Sequence, residues 1–445
     1  MKLDAEKAVY EALKSVYSEG AYSTQILNRT LNNFGSNDRS WEKSYGKPYI
    51  TRLFYGVLEK SVQFDYIISK LVDFKPKTAV CIIIKIGLYL LQYTDTPNYA
   101  AVSKTVALAK QVGKGAQVAL INAVLRKSET VKLPPPNTPQ GLGIVASYPE
   151  WIVNRLTQDC GVAFVEKLLL HESSAETHIR VNKKNISDLA FRKKYPTIAK
   201  NKSELGYYVT HNVEKSGLQR VEQSEYVIQS LASMRAVHKY LEPICSGDKK
   251  STDADTRADK EVNKYTPKNI LDLCAAPGGK SVYLKELLPS AKIIACDIHD
   301  HRVELIKKYA DSVGVKISVQ KNDAIVFNSE FENQFDLVIC DAPCTGIGIA
   351  AKKPEILWNR KESDITELQK LQLRILSTAQ QYVKDGGRLS YSTCTLFKAE
   401  NEIVANRFLK AHSNFTQDGL PLTLFPHIDH CDGFFAVNFR KLCYT

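Results

Sequence analysis

The chain holds 445 residues, 44% of them hydrophobic, which supplies material for two or three buried cores. No apolar run reaches the roughly 20 residues that cross a bilayer, and the opening "MKLDAEKAVYEALKSVYSEG" interleaves charge with apolar residues, which excludes a membrane-spanning chain and argues against a secretory leader. With 60 Lys and Arg against 48 Asp and Glu the net charge is +12, so an acidic or nucleic-acid partner is in view.

Up to residue 130 the texture is helical. In "ITRLFYGVLEKSVQFDYIISKLV" the residues Leu53, Val57, Phe64, Ile67, Ile68 and Leu71 recur at three-and-four spacing. "YAAVSKTVALAKQVGKGAQVALINAVLRK" repeats the pattern around a break at Gly113 and Gly115. Residues 1–130 are therefore predicted as a small helical bundle. "KLPPPNTPQGLG" predicts an extended Pro-rich linker over 131–144. A small α+β subdomain is expected over 145–240, with one helix in "PEWIVNRLTQDCGVAFVEKLLLH" and a strand in "THIRVN". Residues 246–269 are polar and almost free of large apolar groups, so they predict a mobile insertion that cannot bury enough surface to offset its ordering entropy.

The charge is uneven along this order. Residues 1–240 carry 33 Lys and Arg against 21 Asp and Glu, and residues 241–445 carry 27 of each. A basic surplus fits a solvated face as well as the footprint of a phosphate backbone.

From Ile270 to the end, strand-like runs ("ILDLC", "KIIACD", "KISVQ", "FDLVICD", "GGRLSYST") alternate with helical ones ("SVYLKELL", "RVELIKKYADSVG", "LQKLQLRILSTAQQYV"). That alternation predicts an α/β domain over 270–445, a doubly wound and mostly parallel sheet of Rossmann-like type, whose ligands sit beyond the carboxyl ends of the strands.

Each motif falls at such an end. "LDLCAAPGGK" is a strand, a turn and a helix start, and Gly278 and Gly279 let the backbone approach a ligand closely. It is not the spaced G-x-G-x-x-G of dinucleotide sites, and no G-x-x-x-x-G-K-[ST] occurs. Asp297 ends the next strand, where an acid grips ribose hydroxyls, and Asp323 closes a third. Each Asp alone could be a helix cap. Together with the glycine turn they point to a nucleoside ligand, and S-adenosylmethionine fits better than a phosphate-bearing nucleotide.

Ten cysteines lie scattered without C-x-x-C pairs or metal-ligand spacing, so reduced thiols, no metal and a cytoplasmic setting are expected. Cys340 lies within an apolar run and reads as a packing residue. Cys344 in "DAPCTGIG" and Cys394 in "STCT" each stand just past a strand end, so both should open into one crevice. Carbon 5 of a pyrimidine is too weakly nucleophilic to attack a methyl sulfonium unless a nucleophile first adds at carbon 6, and a thiolate suits that role. Methylation of an exocyclic nitrogen would need no such step. A second acid/base group is then required to release the product. On these grounds either thiol could attack.

"LDLCAAPGGK", "DAPCTGIG", "KKPEILW", "STCT" with "ENE", "DGFFAVNFRK" and the upstream "IRVN" together resemble the RNA 5-methylcytosine methyltransferases. "RLFYGVLEK" and "GAQVALINAVLRK" resemble the NusB domain of antitermination factors, and the combination is similar to bacterial methyltransferases of small-subunit (16S) ribosomal RNA. The resemblance implies an S-adenosylmethionine-dependent cytosine-5 methyltransferase acting on ribosomal RNA; a monomer is expected. It further implies Cys394 as nucleophile, Cys344 as the thiol that assists release, and Asp341 beside the target base and cofactor. Cys274, Ala275, Ala276, Pro277, Gly278, Gly279, Lys280, Asp297 and Asp323 correspond to cofactor contacts, and Arg180, Lys352, Lys353, Trp358 and Arg360 are expected RNA contacts. Ser230 stands where the family usually has Asp, and "LFPHID" replaces its Arg-x-Trp-Pro. Transfer RNA as substrate and a non-catalytic RNA-binding assembly factor are the competing readings.

Overall fold

The computed structural model describes residues 5–35, 46–171, 177–199, 208–210, 225–243 and 265–443. They form two compact units, one comprising the chain to Leu170 plus Ile349–Glu362, the other comprising His171–Gly348 and Ser363 onward.

The first unit is all helical among its described residues. Its core surrounds the helix Thr78–Tyr93, whose sequence "TAVCIIIKIGLYLLQY" is apolar on nearly every face and buries Ile82, Ile83, Ile84, Ile86, Leu88 and Leu90. Phe54 and Val57 of Lys47–Glu59, Phe64 of Ser61–Leu71 and Leu13 of Ala5–Glu19 pack into the same cluster. The one cation in the central helix, Lys85, is 5% exposed and donates to Asp65 Oδ2 at 2.8 Å.

The unit continues past the expected linker. Thr138 Oγ1 accepts from the Gly141 amide at 3.1 Å and Pro139 opens a helix to Ala146, so Thr-Pro serves here as a helix start, not as linker. The single helix expected in the next segment is two, Glu150–Cys160 and Val162–Leu170, broken at Gly161 with φ +83°. These helices belong with the N-terminal ones, so the domain change lies near residue 170 instead of at 131–144.

The second unit begins with a small antiparallel sheet in the order β2-β1-β3, formed by β1 (Thr177–Val181), β2 (Tyr208–Thr210) and β3 (Tyr226–Ile228). Of the expected insertion, residues 246–264 lie outside the described residues. Within 265–269, Tyr265 packs against Arg388 and donates its hydroxyl to the Asp336 carbonyl.

The main sheet contains β4 (Asn269–Asp272), β5 (Lys292–Asp297), β6 (Ser318–Lys321), β7 (Phe335–Asp341), β8 (Val383–Thr393), β9 (Phe415–Gln417), β10 (Leu422–Leu424) and β11 (Phe434–Lys441). Its order is β10-β11-β8-β7-β4-β5-β6, with β9 beside β11. Strands β6, β5, β4, β7 and β8 run parallel, and β11 returns antiparallel beside β8. One face buries Ile375, Leu376 and Phe408 from the helices Glu362–Ala379 and Glu402–Ala411. The other buries Met234, Val237 and Leu284 from Leu231–Tyr240 and Gly279–Leu287. Helices on both faces leave the strand ends as the accessible edge, as the alternating sequence pattern predicts.

Candidate active site

The sheet delivers its functional side chains at the carboxyl ends of β4, β5, β7 and β8. After β4, Gly278 takes φ +105°, and a Cβ there would sit 3.2 Å from Ile306 of the neighbouring helix, so only glycine makes this turn without strain. The helix Gly279–Leu287 then starts, and Gln229 Nε2 donates to the Gly279 carbonyl at 3.1 Å. The turn Cys274–Pro277 thus places backbone, with no bulky side chain on Gly278 or Gly279, at the strand edge. Asp297 ends β5 and accepts from the His299 amide at 3.1 Å through Oδ1. Asp323 follows β6 and accepts from the Ile325 amide at 3.1 Å through Oδ1. Each therefore does the local capping a bland reading allows, and each spends only one carboxylate oxygen on that bond. The glycine turn together with strand-end carboxylates suits an adenosyl ligand, whose hydroxyl and amino groups donate and whose sulfonium carries positive charge.

Asp341 closes β7 and lies between two donors. Lys280 Nζ reaches Oδ2 at 2.6 Å and Ser392 Oγ reaches Oδ1 at 2.8 Å. Burial opposes the charge on Lys280, but Asp341, then Asp272 and Cys394, favour it, and the net shift is upward. A firmly charged ammonium therefore lies close to both the Asp341 carboxylate and the Cys394 sulfur.

The two thiols meet. Cys344 Sγ lies 3.4 Å from Cys394 Sγ, with Cys344 8% exposed and Cys394 half-buried. Cys344 is thus largely covered, where the sequence led us to expect a side chain open to the crevice. Its hydrogen bond with Cys394, followed by burial, pushes the Cys344 thiol well above its usual range. Either sulfur can donate across this contact, and the upward shift favours the protonated form of Cys344.

Three loops must approach closely for this contact. The Gly348 amide donates to the Cys394 carbonyl at 3.0 Å, and the Gly433 amide donates to the Gly348 carbonyl at 2.8 Å. A Cβ on Gly348 would lie 2.3 Å from the Gly433 oxygen, so no other residue fits. Behind the thiols, Glu400 is fully buried and accepts from the Thr345 amide at 2.9 Å, from Thr345 Oγ1 at 2.6 Å and from Gln372 Nε2 at 3.0 Å. Gln372 also donates to the Pro343 carbonyl at 2.9 Å. Glu400 and Thr345 were visible only as parts of "ENE" and "DAPCTGIG", and Gln372 carried no signal, because its bond to Pro343 joins a helix to a loop 29 positions earlier in the chain.

The expected RNA contacts divide. Lys352 and Lys353 are exposed and Arg360 is half-buried. Trp358 packs in the helical unit, its ring 6.2 Å from Tyr17 edge-on and 5.6 Å from Lys85 Nζ. Arg180 is 3% exposed, donates from Nε to Gln229 Oε1 at 2.9 Å, pairs with Glu286 and lies over the Tyr283 ring at 4.4 Å. It braces β1 against the helix Gly279–Leu287 and offers no open face to a passing strand, contrary to expectation. Ser230 donates to Asp432 Oδ2 at 2.5 Å, so a neighbouring chain segment supplies a carboxylate at this point.

Residues 261–440 match the family model described as 16S rRNA methyltransferase RsmB/F, and residues 4–130 match the NusB family. The chain thus joins an RsmB/F-type methyltransferase domain to a NusB-type domain. It is 29% identical to the "Probable ribosomal RNA small subunit methyltransferase B" of Bacillus subtilis (strain 168), over 99% of both chains. It is also 29% identical to the "Ribosomal RNA small subunit methyltransferase B" of Photorhabdus laumondii, over 97% of both. The solved structure described as "Crystal Structure of PH0851" shares the fold with TM-score 0.75 at 22% identity, covering 99% of this chain and 100% of that one. NSun6 from Pyrococcus horikoshii, solved with SFG, shares it with TM-score 0.52 at 18% identity, over 67% of this chain and all of the other. Among the described residues no helix is long and apolar enough to cross a membrane, and no group of three or more His, Cys, Asp or Glu could hold a metal ion.

One carboxyl at this edge titrates unusually. Asp272, 1% exposed at the end of β4, accepts from Ser281 Oγ at 2.5 Å, and burial raises its pKa to about 6. A folded-state value above the unfolded one favours the protonated form in the fold. Its contribution to stability is therefore complete below about pH 4 and is lost as pH rises through 6. The stability difference between wild type and Asp272→Asn, followed by denaturant unfolding, should change by about 3 kcal/mol across that window. A difference independent of pH would show that Asp272 titrates normally.

Proposed function

We propose that this methyltransferase modifies carbon 5 of a cytosine in small-subunit ribosomal RNA, using S-adenosylmethionine and a covalent cysteine–cytosine intermediate. The observation that carries the reading is the pair of thiols 3.4 Å apart, set beside the Lys280–Asp341 pair at the ends of adjacent strands. Exocyclic amine methylation has no use for such a pair. The names of the full-length relatives support ribosomal RNA over transfer RNA, and the NusB-family start fits a protein that meets ribosomal transcripts.

In this reading the Cys274–Lys280 turn and Asp297 and Asp323 hold the cofactor. S-adenosylmethionine supplies an electrophilic methyl group. The target base must leave its stack to enter the crevice, so an unpaired nucleotide is expected. Asp341 accepts a hydrogen bond from the cytosine amino edge while Lys280 holds the carboxylate in place. Cys394 adds to carbon 6, its charge steadied by Lys280, and carbon 5 becomes nucleophilic. After methylation the bond from carbon 6 to Cys394 breaks, and Cys344 hands a proton to the departing sulfur. The proton lost from carbon 5 restores the Cys344 thiol, and Cys394 then gives up its proton to solvent to regenerate the thiolate, so the one proton that the methyl transfer liberates leaves the site. Lys352, Lys353 and Arg360 are proposed to contact the RNA backbone.

The test is to incubate the protein with methyl-labelled S-adenosylmethionine and, separately, deproteinised small-subunit RNA, assembled subunits and transfer RNA, then digest and identify the labelled nucleoside. Label in 5-methylcytosine from small-subunit RNA is the expected result. Label on transfer RNA alone would move the substrate, label on an amino group would remove the covalent mechanism, and salt-sensitive RNA binding without label would favour an assembly factor.

A further inference from the structure

A cavity of about 680 Å³ opens where β1, the carboxyl end of the helix Gly279–Leu287 and the segment after Asp300–Val313 converge. The amino end of Gly279–Leu287 forms the glycine turn at the strand carboxyl ends, so the cavity's helical wall, Tyr283 to Leu287, lies about 6 to 12 Å along the helix axis from that turn. It is separate from the thiol site. Its walls carry four lysines, Lys183, Lys184, Lys285 and Lys316, beside the buried Arg180–Glu286 ion pair.

These cations differ in availability. Lys184 donates to the Gly314 carbonyl at 2.6 Å, and Lys285 to the Pro289 and Ala291 carbonyls at 2.9 and 2.6 Å, so each spends only part of its hydrogen-bonding capacity. Lys183 and Lys316 are exposed and have no ion-pair partner among the described residues. A concave surface with a surplus of positive charge attracts an anion. A further feature narrows its kind: Tyr283, Leu287, Pro289 and Val315 give the wall apolar surface that the base and sugar of a nucleotide would cover and a bare phosphate would not. The size suits one nucleotide, since small-ligand pockets run from about 300 to 1,000 Å³.

We propose that this cavity is a distal RNA subsite, holding one ribonucleotide of the substrate strand while the target cytosine occupies the thiol site. The proposal rests on the RNA-methylating reading above. It gives the strand a second point of attachment, so that long RNA gains affinity that a short piece cannot.

The test uses the full chain carrying Lys183→Glu with Lys316→Glu, beside a control of equal charge change, Lys307→Glu with Lys308→Glu on the exposed face of the helix Asp300–Val313. Steady-state kinetics are measured on complete small-subunit RNA and on a short oligonucleotide bearing only the target cytosine and its near neighbours. The double variant should raise KM for the long RNA about tenfold and lower the slope of log affinity against log salt by about 2, leaving kcat unchanged. On the short oligonucleotide it should match wild type, and the control should match wild type on both. Millimolar adenosine 5′-monophosphate should raise the wild-type KM for long RNA and not that of the variant. Unchanged KM, equal loss in the control, or equal loss on the short substrate would refute the subsite. Lysine-dependent nucleotide binding without an effect on long RNA would assign the cavity to a free nucleotide and overturn the RNA proposal. Should wild type transfer no methyl group, the salt-dependent affinity of the two variants for long RNA still decides, so loss of the catalytic reading and loss of this one remain distinct.

Discussion

Cys394→Ala should lower methyl transfer by at least about a thousandfold, while RNA and cofactor binding stay close to wild type, since an attacking group that acts only in the chemical step contributes little to ground-state affinity. Cys344→Ala should fail differently. Attack and methylation remain possible, but the departing sulfur loses its proton donor at 3.4 Å, so turnover should fall by about 10² to 10⁴ and protein should accumulate in covalent union with RNA. Denaturing gel electrophoresis of each variant with RNA and cofactor separates the cases. A retarded band that survives denaturation with Cys344→Ala and is absent with Cys394→Ala is the expected pattern. The reverse pattern would exchange the roles of the two thiols, and a band with neither variant would argue against a covalent step. Cys344 is the more buried of the two sulfurs, and its bond to Cys394 and its burial push its thiol well above the usual range, which favours the protonated form.

The second large effect concerns stability. Arg388 on β8 is fully buried and satisfied on three sides: Nε and Nη2 donate to Asp418 Oδ2 at 2.9 and 2.5 Å, and Nη1 to the Tyr240 and Glu242 carbonyls at 2.8 and 2.7 Å. Asp418 is 4% exposed. Asp418→Ala leaves a guanidinium without a counter-charge in the interior, which costs about 3–5 kcal/mol, far more than the net worth of the intact pair. Chemical denaturation should show that loss as a lower midpoint with little change in slope. Arg388→Met with Asp418→Leu should recover most of it, because the cost lies in the orphaned charge. A loss under 1 kcal/mol in Asp418→Ala would mean that water reaches Arg388.

Much of this was legible in the sequence, and the gaps have physical causes. Strand ends at Asp297, Asp341 and Thr393 could be read because apolar runs stop there at turn residues. That Cys344 and Cys394 would share one edge followed from two strands ending the same way, and their neighbouring positions in the sheet bring the sulfurs together. The helix at Pro139–Ala146 was obscured by its prolines, since Thr138-Pro139 serves a helix start as well as it serves a linker. Gly161 is a break that apolar periodicity alone runs through. The buried anchors Glu400, Gln372, Arg388 and Asp418 were illegible for a different reason: each is a polar residue whose partner lies far along the chain, and no local pattern marks such a pairing. Arg180 was misjudged in the same way, as a basic residue beside a signature stretch whose charge turned out to be spent inside the protein.

The membership of Ile349–Glu362 bears on how this protein can be cut or grafted. That segment leaves the methyltransferase unit directly after Gly348 and is counted with the helices. There Glu355, 2% exposed, accepts from the Ser23 amide at 3.2 Å and from Ser23 Oγ at 2.6 Å, and Trp358 meets Tyr17 and Lys85. A deletion of residues 1–170 would therefore strip a buried carboxylate and an indole of their partners only eleven residues beyond Cys344 in the nearer case. Recombination that swaps the N-terminal region for another has to carry the partners of Glu355 and Trp358 with it, so the gene boundary between the two units and the physical one do not coincide.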